Sequence, residues 1–147
     1  MQPTSVRILL VDDFAPWREA MSLMLANKRG LEVVGEASDG TEAVQKAVEL
    51  KPDLILLDIS LPTLNGIEAA RQIRQLAPEC KIIFLSQESS EDVMQAALGT
   101  GALGYVVKTM AGRDLLTAMD SVLGSSSEQG QFGPLDGKPS EAAIQAD

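Results

Sequence analysis

The chain has 147 residues and a formal net charge of −9, which is one domain's worth of chain, long enough for a real core, with no basic surplus to displace counterions from nucleic acid. It has no histidine and one cysteine, Cys80, which excludes histidine general bases, Ser-His triads, His-ligated zinc and an internal disulfide. No apolar run approaches signal-peptide or membrane-spanning length, so a cytoplasmic protein with no membrane contact is expected.

The first apolar run, "VRILLV" (6–11), reads as a strand and stops on Asp12 and Asp13. Trp17, Met21, Met24 and Leu25 follow at i, i+4, i+7 and i+8, the spacing of one helix face. "LEVVGEA" (31–37) is the second strand. "DGTE", with Asp39 and Glu42, resembles a capping box and opens a helix striped by Ala43, Val44, Ala47 and Val48, with Pro52 helping to end it. "DLILLD" (53–58) is the third strand and ends on Asp58. Ile67, Ala70, Ile73 and Leu76 form the next stripe, closed by Pro78. "KIIFLS" (81–86) is the fourth strand. "SSED", with Ser89 and Asp92, gives a second capping box before Val93, Met94, Ala97 and Leu98. "GYVVK" (104–108) is the fifth strand, and Leu115, Leu116, Met119, Val122 and Leu123 the last helical stripe.

All five stripes are read as core. Several strands are apolar throughout rather than alternating, as strands buried on both faces are. Five strand–helix alternations predict βαβ units and a parallel sheet covered on both sides. After Leu123 the segment "GSSSEQGQFGPLDGKPSEAAIQAD" is rich in Gly, Ser and Pro. Residues 1–123 are therefore expected to fold as the domain, and 124–147 to be a flexible tail or interdomain linker that contributes little to folding.

Ligands of parallel α/β sheets sit beyond the carboxyl ends of the strands. Those ends carry Asp12 and Asp13, Asp58, Ser86 and Lys108. Each has a bland reading taken singly: a helix cap, a turn, a loop hydroxyl, a solvated charge. All five on one rim favour a site. Two carboxylates about 5 Å apart repel by roughly 3 kcal/mol at an effective dielectric near 20, so three of them must take up protons or gather a cation. Oxygen ligands without His or Cys suit Mg²⁺ or Ca²⁺. A lysine beside them suits an anion, above all phosphate, and Ser86 can donate to the same anion. An aspartate between metal and lysine can be a nucleophile toward phosphorus.

"ILLVDDF", "DLILLDISLPTLNG", "IIFLS" and "GYVVK", in that order, resemble the receiver domain of bacterial two-component response regulators over roughly residues 5–123. The resemblance implies a flavodoxin-like (βα)5 fold with strand order 2-1-3-4-5 and its switch point between the first and third strands. It implies Asp58 as the phosphoacceptor, Asp13 as a direct Mg²⁺ ligand, Asp12 as a ligand mainly through water, and the backbone carbonyl of Ser60 as a further ligand. It makes Ser86 the switch hydroxyl, Tyr105 the switch aromatic and Lys108 the phosphate-pairing lysine. The implied partners are a sensor histidine kinase and, on phosphorylation, a second copy of the chain through the face of the fourth helix, fifth strand and fifth helix. "KTMAGRDLLTAM" resembles receivers that carry a LuxR-type helix-turn-helix domain, through which alone DNA would be bound. Two departures stand out. Thr109 takes the place of a proline after the lysine, and Gln87 takes that of a small residue after the hydroxyl. Gln87 is expected at the mouth of the phosphate pocket, within reach of the Ser60 and Glu88 side chains.

Two other readings compete. A haloacid-dehalogenase-like phosphatase also forms an aspartyl phosphate with Mg²⁺, but expects a D-x-D pattern on the first strand, where this chain has Asp12, Asp13 and Phe14. A degenerate receiver that binds partners without phosphorylation would not need the full set of Asp12, Asp13, Asp58, Ser86 and Lys108.

Overall fold

The structure is a computed structural model that describes residues 5–124; the expected tail beyond Gly124 lies outside the described residues. The order of elements is β1 (Val6–Val11), α1 (Ala15–Ala26), β2 (Leu31–Ala37), α2 (Gly40–Leu50), β3 (Leu54–Leu57), α3 (Gly66–Leu76), β4 (Lys81–Ser86), α4 (Glu91–Leu98), β5 (Gly104–Val107), a 3₁₀ turn (Lys108–Met110) and α5 (Ala111–Leu123). The five strands pair in parallel in the order β2-β1-β3-β4-β5. The predicted flavodoxin-like α/β architecture is the one observed.

Strand residues alternate between faces, and here both faces are covered. On one, Leu9, Val11, Ile55, Leu57, Ile82 and Phe84 pack with Ala43, Ala47, Ala70 and Ile73. On the other, Ile8, Leu10, Leu54, Leu56, Ile83 and Leu85 pack with Met21, Leu25, Leu115 and Met119. Burying each of the large side chains among them is worth about 1.5–3 kcal/mol, and burial on both faces explains why β1, β3 and β4 read as largely continuous apolar runs. β2, an edge strand, is only half-buried along most of its length.

Three stripe residues read as core are not core. Val48, Leu76 and Leu98 are 41%, 61% and 40% exposed. Each lies in the last turn of a short helix, where the apolar stripe has run past the edge of the sheet. The helix starts also differ in detail. Asp39 caps α2 by accepting from the Glu42 N–H, but the Glu42 carboxylate returns to the Ser38 N–H rather than to that of Asp39. The cap of α4 is Ser90, which accepts from the Val93 N–H, not Ser89, because the helix begins one residue later than "SSED" suggests. β3 spans only Leu54–Leu57, leaving Asp53 and Asp58 just outside its ends, and β5 stops at Val107, so Lys108 opens the 3₁₀ turn instead of closing the strand. Among the described residues no helix is long and apolar enough to cross a membrane.

Candidate functional site

β1 and β3 are neighbours that pair Val11 with Leu57. The Asp58 N–H extends this ladder by one bond, to the Val11 carbonyl at 3.1 Å, so Asp12 and Asp58 emerge side by side at the same end of the sheet. β4 ends beside them on Ser86. Asp12, Asp58 and Ser86 are the buried polar residues among those described, at 3%, 5% and 1% exposure. Burying a polar side chain costs free energy unless it is paired, yet this chain concentrates that cost at one place on the rim. Asp13 is exposed beside them, and one oxygen each of Asp12, Asp13 and Asp58 lie within 4.8 Å of one another.

The partners are specific. Asp58 Oδ1 accepts from the Ile59 N–H at 2.7 Å, which sets the rotation of the carboxylate. Asp58 Oδ2 lies 3.2 Å from the Lys108 Nζ. Asp12 Oδ1 accepts from the Phe14 N–H at 2.9 Å, and the Arg18 guanidinium donates to the Asp12 carbonyl at 2.6 Å while pairing with Glu36 at 2.9 Å. Asp12 Oδ2 is buried and meets the Lys108 ammonium, 2.5 Å away, as an ion pair. That ammonium also stands 5.0 Å from the centre of the Trp17 ring, over its face.

Burial pushes the Asp58 carboxyl above the ordinary aspartate range, helped by the charge of Asp12 and opposed by that of Lys108. For Lys108, burial alone would depress the ammonium. The hydrogen bond and charge of Asp12, with the charge of Asp58, outweigh it and hold Lys108 above the ordinary lysine value. One cation between two carboxylates is thus kept firmly charged.

The loop after β4 links Ser86 to Tyr105. The Ser86 hydroxyl accepts from the Glu88 N–H at 3.2 Å, and the Tyr105 hydroxyl donates to the Glu88 carbonyl at 2.8 Å. Burial raises the Tyr105 phenol, and the nearby Ser86 hydroxyl opposes this. Ser60 and Glu88 both line an open groove of about 600 Å³, together with Ile59, Ile67 and Val93. Gln87 is exposed, and its side chain makes no hydrogen bond among the described residues. Below the site, the Gly66 N–H donates to the Ile59 carbonyl at 2.8 Å. A Cβ on Gly66 would overlap the Asp58 carbonyl, so the first turn of α3 presses on the backbone of the central aspartate.

Sequence reasoning misses the parts played by Arg18, which carries no motif, and by Gly66, which is one half of an ordinary Asn-Gly turn signal. Trp17 reads as core, but its place one helical turn beyond Asp13 already puts it near enough to the site for its fluorescence to report a bound metal; its contact with Lys108 has no signal in the sequence. The acidic set suits a hard cation: its donors are carboxylate oxygens from three side chains that converge on one spot.

Comparisons with known proteins identify the family of this fold. Residues 8–120 match the family described as the response regulator receiver domain. The chain is 36% identical over 115 residues to the response regulator protein VraR of Staphylococcus aureus, covering 78% of this chain and 55% of VraR, so it spans about half the length of that relative. A solved two-component response regulator of the LuxR family from an Aurantimonas species is 34% identical, with a TM-score of 0.79 over 83% of this chain and 87% of that one. A chain of the CheX–CheY–BeF3–Mg²⁺ complex from Borrelia burgdorferi is 26% identical, with a TM-score of 0.76 over 81% of this chain and 90% of that one. The rim of buried carboxylates at the meeting of β1 and β3 therefore has its context: the chain belongs to the response regulator receiver domains, signalling domains of two-component systems.

Proposed function

We propose that Asp58 accepts a phosphoryl group from a phosphohistidine of a sensor kinase in the cytoplasm, and that the acyl phosphate changes the surface of α4, β5 and α5. The observation that supports this reading most directly is the pair of buried carboxylates, Asp12 and Asp58, sharing one ammonium.

An Asp58 carboxylate oxygen attacks phosphorus. The P–O bond forms as the P–N bond breaks, and the electron pair returns to the departing imidazole. The Ile59 N–H keeps the carboxylate from rotating during the approach. Lys108, released from Asp12, pairs with the phosphoryl oxygens. Asp12, Asp13, Asp58 and the Ser60 carbonyl would hold Mg²⁺, which when bound neutralises charge on the transferring group. Ser86 gives up its place as acceptor of the Glu88 N–H and donates to the phosphoryl group. The loop that also holds the Tyr105 hydroxyl then rearranges, and the ring turns inward. Two states separated by a few kcal/mol can be exchanged by such bonds. The consequence is a homodimer through the α4–β5–α5 face, and control of transcription through a DNA-binding domain that these residues do not include.

The test is intact mass after incubation with Mg²⁺ and acetyl phosphate. One phosphoryl group is expected, absent in Asp58→Asn and absent when Mg²⁺ is chelated. A full mass gain in Asp58→Asn would overturn the assignment of the acceptor.

A further inference from the structure

We propose that Trp17 is a positioning residue for Lys108, its ring face holding the ammonium on the rim while both carboxylate partners are taken up by phosphoryl transfer; this rests on the reading of Asp58 as phosphoacceptor. The need for such a residue follows from where Lys108 sits. Its backbone opens a 3₁₀ turn after an edge strand of four residues, and the helix behind that turn starts at Ala111, with Met110 at its N-cap and no side-chain cap bond. The lysine is therefore carried just past an edge strand, on a stem of four methylenes.

The resting ammonium has three neighbours: Asp12 at 2.5 Å, Asp58 at 3.2 Å, and the Trp17 ring at 5.0 Å. The reaction changes the first two. Asp58 becomes an acyl phosphate, and Asp12 belongs to the acidic set suited to a cation. Among the described residues, the ring is the one neighbour of the ammonium that the chemistry leaves as it was. It attracts a cation through its quadrupole, and more strongly where both are drawn out of water.

Trp17 is itself well held. Its backbone N–H donates to the Phe14 carbonyl at 3.1 Å, and its side chain packs against the core cluster that includes Ile8, Leu10 and Met21. The next residue, Arg18, ties α1 to the Asp12 carbonyl at 2.6 Å. The ring is thus fixed to β1, the strand that carries Asp12, while the lysine it faces comes from the far side of the sheet. It keeps Lys108 over the site when Asp12 lets go.

A ring that only fills space could be replaced by leucine as well as by phenylalanine. A ring that holds a cation could not. The experiment measures loading by acetyl phosphate at saturating Mg²⁺, as intact mass against time, for the wild type, Trp17→Phe and Trp17→Leu. Trp17→Leu is expected to load about three- to tenfold more slowly than the wild type, with Trp17→Phe in between. In parallel, urea unfolding midpoints are measured for both variants with and without Lys108→Met. Trp17→Phe is expected to exceed Trp17→Leu when Lys108 is present, and the two to coincide in the Lys108→Met background. Equal loading of the two variants, or a midpoint difference that survives Lys108→Met, would return Trp17 to packing alone. A wild type that gains no mass would instead sink the reading of Asp58, and the midpoints would still decide whether the ring holds the ammonium.

Discussion

Lys108 joins two aspartates that belong to different strands: its ammonium is 2.5 Å from Asp12 and 3.2 Å from Asp58. The lysine comes from beyond β5, the edge strand farthest from β1 on this side of the sheet. A single side chain therefore supplies the positive charge set among the carboxylates of Asp12, Asp13 and Asp58. Replacing it with methionine keeps the length and removes the charge. Loading of Lys108→Met by acetyl phosphate is expected to fall by about 100-fold, the usual cost of losing one donor to a developing anion. The intact-mass time course checks this. Loading within a few-fold of the wild type would show that the ammonium does not meet the phosphoryl group.

The buried Asp58 carboxylate should cost folding energy. Its pKa in the folded state is raised above 3.8, so the folded protein binds this proton more tightly than the unfolded chain, and the contribution of Asp58 to stability falls as pH rises through that raised value. Asp58→Asn removes the repulsion with Asp12 and the attraction to Lys108 together. In metal-free buffer at neutral pH the variant is expected to be more stable by on the order of 1 kcal/mol. The gain should shrink as pH falls through the raised pKa and the wild type takes up its proton. Urea unfolding of both proteins, in neutral and in mildly acid buffer, decides it. A less stable variant at neutral pH would mean that the bond to Lys108 outweighs burial.

Gly66 has no room for a side chain. A Cβ there would overlap the Asp58 carbonyl, which is backbone and cannot swing aside. Alanine would ordinarily favour the helix, so the sign of Gly66→Ala separates propensity from packing. The variant is expected to lose about 1–3 kcal/mol, measured by urea unfolding, and to load more slowly because Asp58 is displaced. A stabilised variant would show that α3 moves away freely.

Gln87 is exposed, next to the buried Ser86. If, as the sequence predicts, its side chain covers the phosphate pocket, it would obstruct small donors and water. Gln87→Ala is expected to load faster with acetyl phosphate, by up to about tenfold for a barrier lower by 1.4 kcal/mol, with Mg²⁺ affinity unchanged by calorimetry. Equal rates would place Gln87 in solvent with no part in access.

The sheet was legible because its strands are buried on both faces. A residue such as Leu9 or Ile8 must be apolar whichever way it points, so strand and order of elements survive a reading from one sequence. The carboxylates at the rim were legible for the opposite reason: Asp12 and Asp58 interrupt those runs where nothing in the core calls for a charge. What escaped depends on depth and direction. Val48, Leu76 and Leu98 keep the helical period but overrun the sheet they were meant to cover. Trp17 keeps the period too, and its packing with Met21 hid the second use of its face toward Lys108. A periodicity tells which side of a helix is apolar and leaves open what else lies across from it. The close approach of Gly66 to Asp58 is a tertiary contact with no local signature.

The 50-residue separation between Asp58 and Lys108 has a consequence for how the protein is made. Chains are synthesised at about 5–20 residues per second, so the ribosome adds the lysine roughly 3–10 s after the aspartate. Through that interval the nascent chain carries Asp12, Asp13 and Asp58 without the lysine that meets Asp12 and Asp58. On the proposed reading of Asp58, a partly synthesised receiver cannot pair an incoming phosphoryl group with Lys108, and phosphorylation is complete only on a chain whose translation has passed β5.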